Sequence, residues 1–199
     1  TLGETYEKAG KLEKAEEVYN SLALIDSANA RVYYSQSRMM YDAGGKFDKA
    51  VAPARKLIEL DPKNDGNVYY LGVLYFKQQK YDEAIDAFRQ TLALKPDLAN
   101  AWFQIGSAYF QQKKYKEAAE AYKKYADLVP DDANGWLSLG VSYMYLKNYE
   151  GALEPMKRCV DLKLDNAAAQ FNLGIVYINL KDFLSARDVH AKLLKLDPA

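Results

Sequence analysis

Residues 99–132 read ANAWFQIGSAYFQQKKYKEAAEAYKKYADLVPDD, and residues 133–166 repeat their plan. Trp102, Gly106, Tyr109, Ala118, Tyr122 and Pro130 find counterparts in Trp136, Gly140, Tyr143, Ala152, Met156 and Leu164. Outward from this pair the step holds. Gly72, Gly106, Gly140 and Gly174 are each 34 residues apart, as are Tyr41, Tyr75, Tyr109, Tyr143 and Tyr177. Ala50, Ala84, Ala118, Ala152 and Ala186 keep the same step. Several columns sharing one period are the mark of a repeat architecture. Gly3, Tyr6 and Ala15 fit the columns too, but Ala15 and Ala50 are 35 apart, which places one inserted residue near Ser27–Ala30. Six units result: 1–29, 31–64, 65–98, 99–132, 133–166 and 167–199, the first lacking the start of its first helix.

Within a unit the apolar residues recur at three- and four-residue steps, as in Trp102, Ile105, Tyr109 and then Ala118, Ala121, Tyr122, Tyr125. That spacing predicts two amphipathic α-helices per repeat. Pro62, Pro96, Pro130 and Pro198 are expected to close second helices, because proline cannot continue a helix interior. Gly10 and Gly45 occupy the turn between helices in the first two units, and Gln79, Lys113, Lys147 and Lys181 stand there later. If that turn is left-handed, each non-glycine residue costs about 1 kcal/mol. Gly106 and Ala118 are expected to let the paired helices approach closely.

The chain has 199 residues, 49% hydrophobic and 27% charged, the balance of a folded protein. Lys+Arg and Asp+Glu number 27 each, so there is no bulk electrostatic pull toward nucleic acid or an anionic surface. No apolar run reaches the length of a membrane span, so membrane insertion is not expected. One cysteine, Cys159, excludes an internal disulfide framework.

The 34-residue period with Trp102-Phe103-Gln104-Ile105-Gly106-Ser107-Ala108-Tyr109, then Ala118, Tyr122 and Pro130, resembles the tetratricopeptide repeat over essentially the whole chain. The resemblance implies an all-α fold, a right-handed α-solenoid of antiparallel helix pairs forming a single array over residues 1–199. It also implies a concave groove lined by residues flanking the Trp–Gly–Tyr stripe of the first helices. Those are Tyr69, Val73 and Phe76, then Asn100, Phe103, Ser107 and Phe110. Asn134, Leu137, Val141, Met144 and Tyr145 follow, and Phe171 and Ile175 close the row. Met39 is placed at its start, in the column of Val73, Ser107, Val141 and Ile175. The family tends toward asparagine in that column. Four of the five residues here are apolar, and an apolar strip along a groove marks a binding site. The columns of Phe103 and Phe110 are partly structural in the family. One subgroup clamps acidic C-terminal peptides with Lys, Asn and Arg. The matching places here hold Tyr69, Val73, Gln104, Asn134 and Ser138, so that ligand is not expected.

No catalytic constellation, cofactor motif or metal-ligand cluster stands out, so the chain is read as a non-enzyme with no cofactor and no metal. His190 is the single histidine and falls in the column of Tyr19, Phe88 and Tyr122, where a packing role is expected. Cys159 falls in the column of Leu22 and Leu57, as an inert buried thiol. The expected function is a protein–protein interaction scaffold holding a peptide or helix of a partner in an apolar groove. Phe103, Phe110, Val141, Met144 and Phe171 would be anchors, and Asn100 and Asn134 would hold the ligand backbone. Two alternatives follow from the family and from the repeats at either end, which carry no evident polar cap: the substrate-recruiting arm of a larger enzyme such as a glycosyltransferase, or a homo-oligomer stacking through its ends. The sequence reads as a piece of a longer protein. Its lack of disulfides and sequons suits the cytoplasm, or a bacterial periplasm after loss of a leader.

Overall fold

The computed structural model describes residues 1–42, 46–162 and 167–196. Gly45, Leu164 and Pro198, used in the repeat pattern, lie outside the described residues. Among the described residues there are twelve α-helices and no strand. In chain order they are α1 (Leu2–Lys8), α2 (Leu12–Ile25), α3 (Ala30–Asp42), α4 (Phe47–Leu60), α5 (Asp65–Lys77) and α6 (Tyr81–Leu94). They continue as α7 (Ala99–Gln111), α8 (Tyr115–Leu128), α9 (Ala133–Tyr145), α10 (Tyr149–Leu162), α11 (Ala167–Asn179) and α12 (Phe183–Leu196). Consecutive odd and even helices pair, one pair per repeat. The chain divides into two compact units, Thr1–Pro96 with α1–α6 and Asp97–Ala199 with α7–α12.

Each pair is shaped by its turn. Gln79, Lys113, Lys147 and Lys181 have φ of 60°, 60°, 57° and 62°, and Gly10 has 71°. In the third repeat Lys80 N–H donates to the Tyr75 carbonyl and Gln79 N–H to the Phe76 carbonyl, both at 2.9 Å. This is a Schellman closure, which requires the left-handed residue. The turn is therefore left-handed where lysine or glutamine has taken glycine's place. Pro62, Pro96 and Pro130 each follow the end of a second helix by two residues. Pro53 and Pro155 stand inside α4 and α10.

In the first unit the core is built on Tyr19, Met40, Leu57, Val68, Leu74 and Phe88. In the second unit Ala118, Ala119, Tyr122 and Leu139 form one cluster, and Met156, Cys159, Leu173, Val176 and Val189 belong to another. Cys159 is fully buried. Each large side chain buried this way contributes about 1.5–3 kcal/mol.

Two register expectations need correction. The α2–α3 connection, residues 26–29, is as long as the α4–α5 connection, residues 61–64. The extra residue lies between Asp42 and Phe47, where α3 and α4 are separated by four residues while α5 and α6 are separated by three. Helix α3 is thus offset from α5 by 35. Met39 is the counterpart of Leu74, both buried (2% and 0% exposed), and is not a groove residue. Tyr41 is the counterpart of Phe76: it packs 5.5 Å from Phe47, as Phe76 does from Tyr81. Met40, not Tyr41, takes the column of Tyr75. Arg38 enters the column of Val73, and its guanidinium lies 2.7 Å from Glu7 and 3.5 Å from Asp42.

Candidate functional site

The residues expected to line a groove fall on α5, α7, α9 and α11. On α5, within the first unit, Tyr69, Val73 and Phe76 are all half-buried. Tyr69 lies 5.3 Å from Phe88 and Phe76 lies 5.5 Å from Tyr81, so both rings brace the second helix of their own repeat.

In the second unit α7 divides its residues between two tasks. Phe103 lies 5.3 Å from Tyr122 and 5.0 Å from Tyr125, and serves the α7–α8 pairing. The Ser107 hydroxyl donates to the Phe103 carbonyl at 2.9 Å and accepts from the Tyr122 hydroxyl at 3.1 Å. It satisfies a buried tyrosine, whose pKa burial pushes up while that bond pulls the other way. Asn100 is exposed, as is Asn134 on α9. Phe110 is half-buried and lies 5.3 Å from Tyr145, edge to face. Tyr115 completes an aromatic triad, 5.2 Å from Phe110 and stacked on Tyr145 at 4.7 Å. The sequence carried a signal for Tyr115, since an aromatic residue opens α4, α6, α8, α10 and α12 alike. It went unread because those positions lie outside the first helices.

Along α9, Leu137, Val141 and Met144 rest on the core cluster with one side and stay half-buried, while Tyr145 is 58% exposed. Val141, Met144 and Tyr145 line a concavity of about 330 Å³ together with Asn172 of α11. Asn172 was missed, although it shares the column of Gln104 and Ser138. On α11, Phe171 and Ile178 are exposed at 58% and 55%, and Ile175 is half-buried. These three line a second, smaller cavity of about 120 Å³ against α12. His190 does not pack as Tyr19, Phe88 and Tyr122 do: it is exposed and lines this cavity.

A wider concavity of about 690 Å³ lies in the first unit, where Asn20, Leu24, Gln36, Met40 and Pro53 line it among α2, α3 and α4. It contains none of the expected groove residues. Gln36 donates to Asn20 at 2.8 Å and Lys49 pairs with Glu16 at 3.4 Å, so its polar groups are matched internally. Among the described residues no group of three or more His, Cys, Asp or Glu is placed to hold a metal ion. Among the described residues no helix is long and apolar enough to cross a membrane.

Helix pairs closed over glycine, left-handed turns and a half-exposed apolar row on the first helices define a helical-repeat protein. The tetratricopeptide repeat model matches residues 1–65, 69–133 and 136–199, and the chain belongs to that family. Its fold class is the all-α solenoid of antiparallel helix pairs. The crystal structure of MamA protein is similar at 22% identity, over 85% of this chain and 92% of that one, with a TM-score of 0.78. YrrB, described as a tetratricopeptide repeat protein with an unusual peptide-binding site, is 18% identical over 92% and 94%, with a TM-score of 0.75. The C-terminal part of a repeat protein from Cytophaga hutchinsonii is 17% identical over 98% and 78%, at 0.81. At these identities the likeness is one of fold alone. Comparison with curated proteins returned no match.

Proposed function

We propose that the chain is a non-catalytic scaffold that binds a peptide or helix of a partner protein along the first helices of the second unit. The supporting observation is the concavity of about 330 Å³ lined by Val141, Met144, Tyr145 and Asn172. It has the composition of a peptide site: apolar walls, an aromatic edge and one amide that can both donate and accept. Phe110 and Tyr115 hold Tyr145 in place, so the ring is presented without the cost of ordering it on binding. Asn134, exposed at the start of α9, would meet the ligand backbone. The fold of YrrB, with its peptide-binding site, is consistent with this use of the family scaffold.

The experiment is to pan a random 12-residue peptide library on the full chain and measure the enriched peptides by calorimetry. Enriched peptides should carry bulky apolar residues. Met144→Asp should weaken them at least tenfold, because a carboxylate would be buried against the ligand, while the circular dichroism of the chain stays unchanged. Peptides ending in two acidic residues should not be enriched. Equal affinity for Met144→Asp would remove this concavity as the site.

A further inference from the structure

The joint between the first two repeats is built unlike the joints further along the chain. In the second unit the second helix of one repeat meets the first helix of the next through apolar side chains. Ala119 of α8 clusters with Leu139 of α9, and Leu153 and Val160 of α10 pack with Leu173 of α11. In the first unit the same columns hold Val51 and Ile58 of α4 and Leu71 of α5 at the joint between repeats 2 and 3. Between repeats 1 and 2 they hold Glu16 and Ala23 of α2 and Gln36 of α3. A carboxylate, a methyl group and an amide thus stand where the next joint carries valine, isoleucine and leucine. All three line the concavity of about 690 Å³, whose walls belong to α2, α3 and α4, so the gap is internal to the array. Gln36 is 7% exposed, as buried as Leu71 at 9%, and Asn20 accepts from its amide. What crosses this joint is charge. Glu4 and Glu7 of α1 and Glu16 of α2 lie 3.0, 2.7 and 3.4 Å from Arg31 and Arg38 of α3 and Lys49 of α4. In these pairs the acids belong to repeat 1 and the bases to repeat 2.

We propose that this joint is an ionic latch: repeat 1 swings away from repeat 2 as salt screens the three pairs, while the joint between repeats 2 and 3 stays closed. Two physical differences set the joints apart. Opening the second joint returns Val51, Ile58 and Leu71 to water, and apolar area exposed is a cost that salt does not relieve. Opening the first joint returns Gln36, Asn20 and Glu16 to water, where polar groups recover hydrogen bonds. The second difference is exposure. The side chains of Arg31, Arg38 and Lys49 are 72%, 41% and 58% exposed, so their pairs are the kind that contribute little each and are screened by ions. The joint between repeats 2 and 3 also carries an ion pair, Lys80 with Asp48 at 3.8 Å, so the contrast lies in what stands beneath the charges. The movement widens the concavity along α2 and α4 and uncovers Tyr33 and Met40, which line it.

The test measures distance across each joint by spin-label pulsed resonance on the full chain. One doubly labelled variant carries Leu24→Cys and Glu59→Cys, and the other carries Glu59→Cys and Ala93→Cys, the same columns one repeat on. Cys159 is fully buried and stays unlabelled. Between about 0.1 M and about 1 M sodium chloride the screening length falls from about 10 Å to about 3 Å. Over that range the long-distance fraction of the first pair should grow about threefold or more, the effect of weakening a few exposed ion pairs. The second pair should not change. Lys49→Glu should show the long component already at low salt, and adding Glu16→Lys should remove it. Gln36→Leu with Ala23→Leu gives the joint the residues that repeat 3 carries in these columns, Leu71 and Leu92. That variant should lose the salt response while its helical signal is retained. A first-pair distribution unmoved by salt overturns the latch, as does an equal change in both pairs or a salt response that survives Gln36→Leu with Ala23→Leu.

Discussion

Gln79, Lys113, Lys147 and Lys181 hold a backbone conformation that side chains with a Cβ avoid, at φ between 57° and 62°. The Schellman bonds around each turn hold it there, because the carbonyls of Tyr109 and Phe110 would otherwise go unpaired. Lys113→Gly should therefore stabilise the chain by about 0.5–1 kcal/mol, the Cβ strain removed less the entropy glycine adds to the unfolded chain. Urea unfolding of the single variant checks this, and a loss of stability would contradict it. Tyr125 makes a second prediction. Its hydroxyl lies 2.5 Å from the Asp132 carboxylate, and burial first, then that bond, push its pKa up to about 12. An unfolded tyrosine titrates near 10 (about 10 in model peptides). The folded state holds the proton more tightly, so the contribution is complete below about pH 10 and is lost as pH rises toward 12. Burial pushes the hydroxyls of Tyr19, Tyr70 and Tyr122 up as well. Calorimetry should show a steady Tm up to about pH 9.5 and a fall beyond it, shallower in Tyr125→Phe.

Pairing of helices depends on whether the second helix fills the hollow over the first helix's small residue. Gly106 and Gly174 occupy the same column with opposite surroundings: Tyr122 would lie 2.8 Å from an added Cβ at one, and among the described residues only Val189 is in reach at the other, at 3.8 Å. Gly106→Ala should cost about 1–3 kcal/mol, because the fixed ring of Tyr122 must move. Gly174→Ala should gain about 0.5–1 kcal/mol from better helix propensity. Thermal unfolding of the two variants should move in opposite directions, and a common direction would break the account. The column itself was legible in the sequence, since glycine every 34 residues has no other economical reading. The contents of the hollow were legible only where they were aromatic. His190 sits in the right column, but a column says nothing of whether a polar ring turns inward. The register of α3 was misread because Tyr41 happens to fall 34 residues before Tyr75 and the second repeat lacks the guiding glycine. Packing resolves it, through Met39 buried like Leu74 and Tyr41 placed against Phe47. Ser107 was read as facing the groove, and only the tyrosine opposite shows that its hydroxyl is used inside.

At the scale of the molecule, repeats are stabilised by their nearest neighbours, and about three are needed before a stack holds its own core. Each compact unit contains three helix pairs. The second unit has buried clusters wholly its own, one around Tyr122 and Leu139 and one around Met156, Leu173 and Val176. It also holds the concavity of Val141, Met144, Tyr145 and Asn172. Charge adds little at this scale, because 27 basic and 27 acidic residues leave no net field to draw a partner from a distance. The identity of the partner was for that reason not legible in composition, and under the proposed function the lining of this concavity would favour peptides with bulky apolar side chains. It follows that residues 97–199 alone should fold and keep the proposed peptide site. Expressed separately, this fragment should give a helical spectrum and a cooperative thermal transition. It should bind the library-derived peptides within about threefold of the full chain, a difference of less than about 1 kcal/mol. A tenfold loss in a fragment that still melts cooperatively would mean that residues before Asp97 contribute directly to the ligand, and would move the site out of the second unit alone.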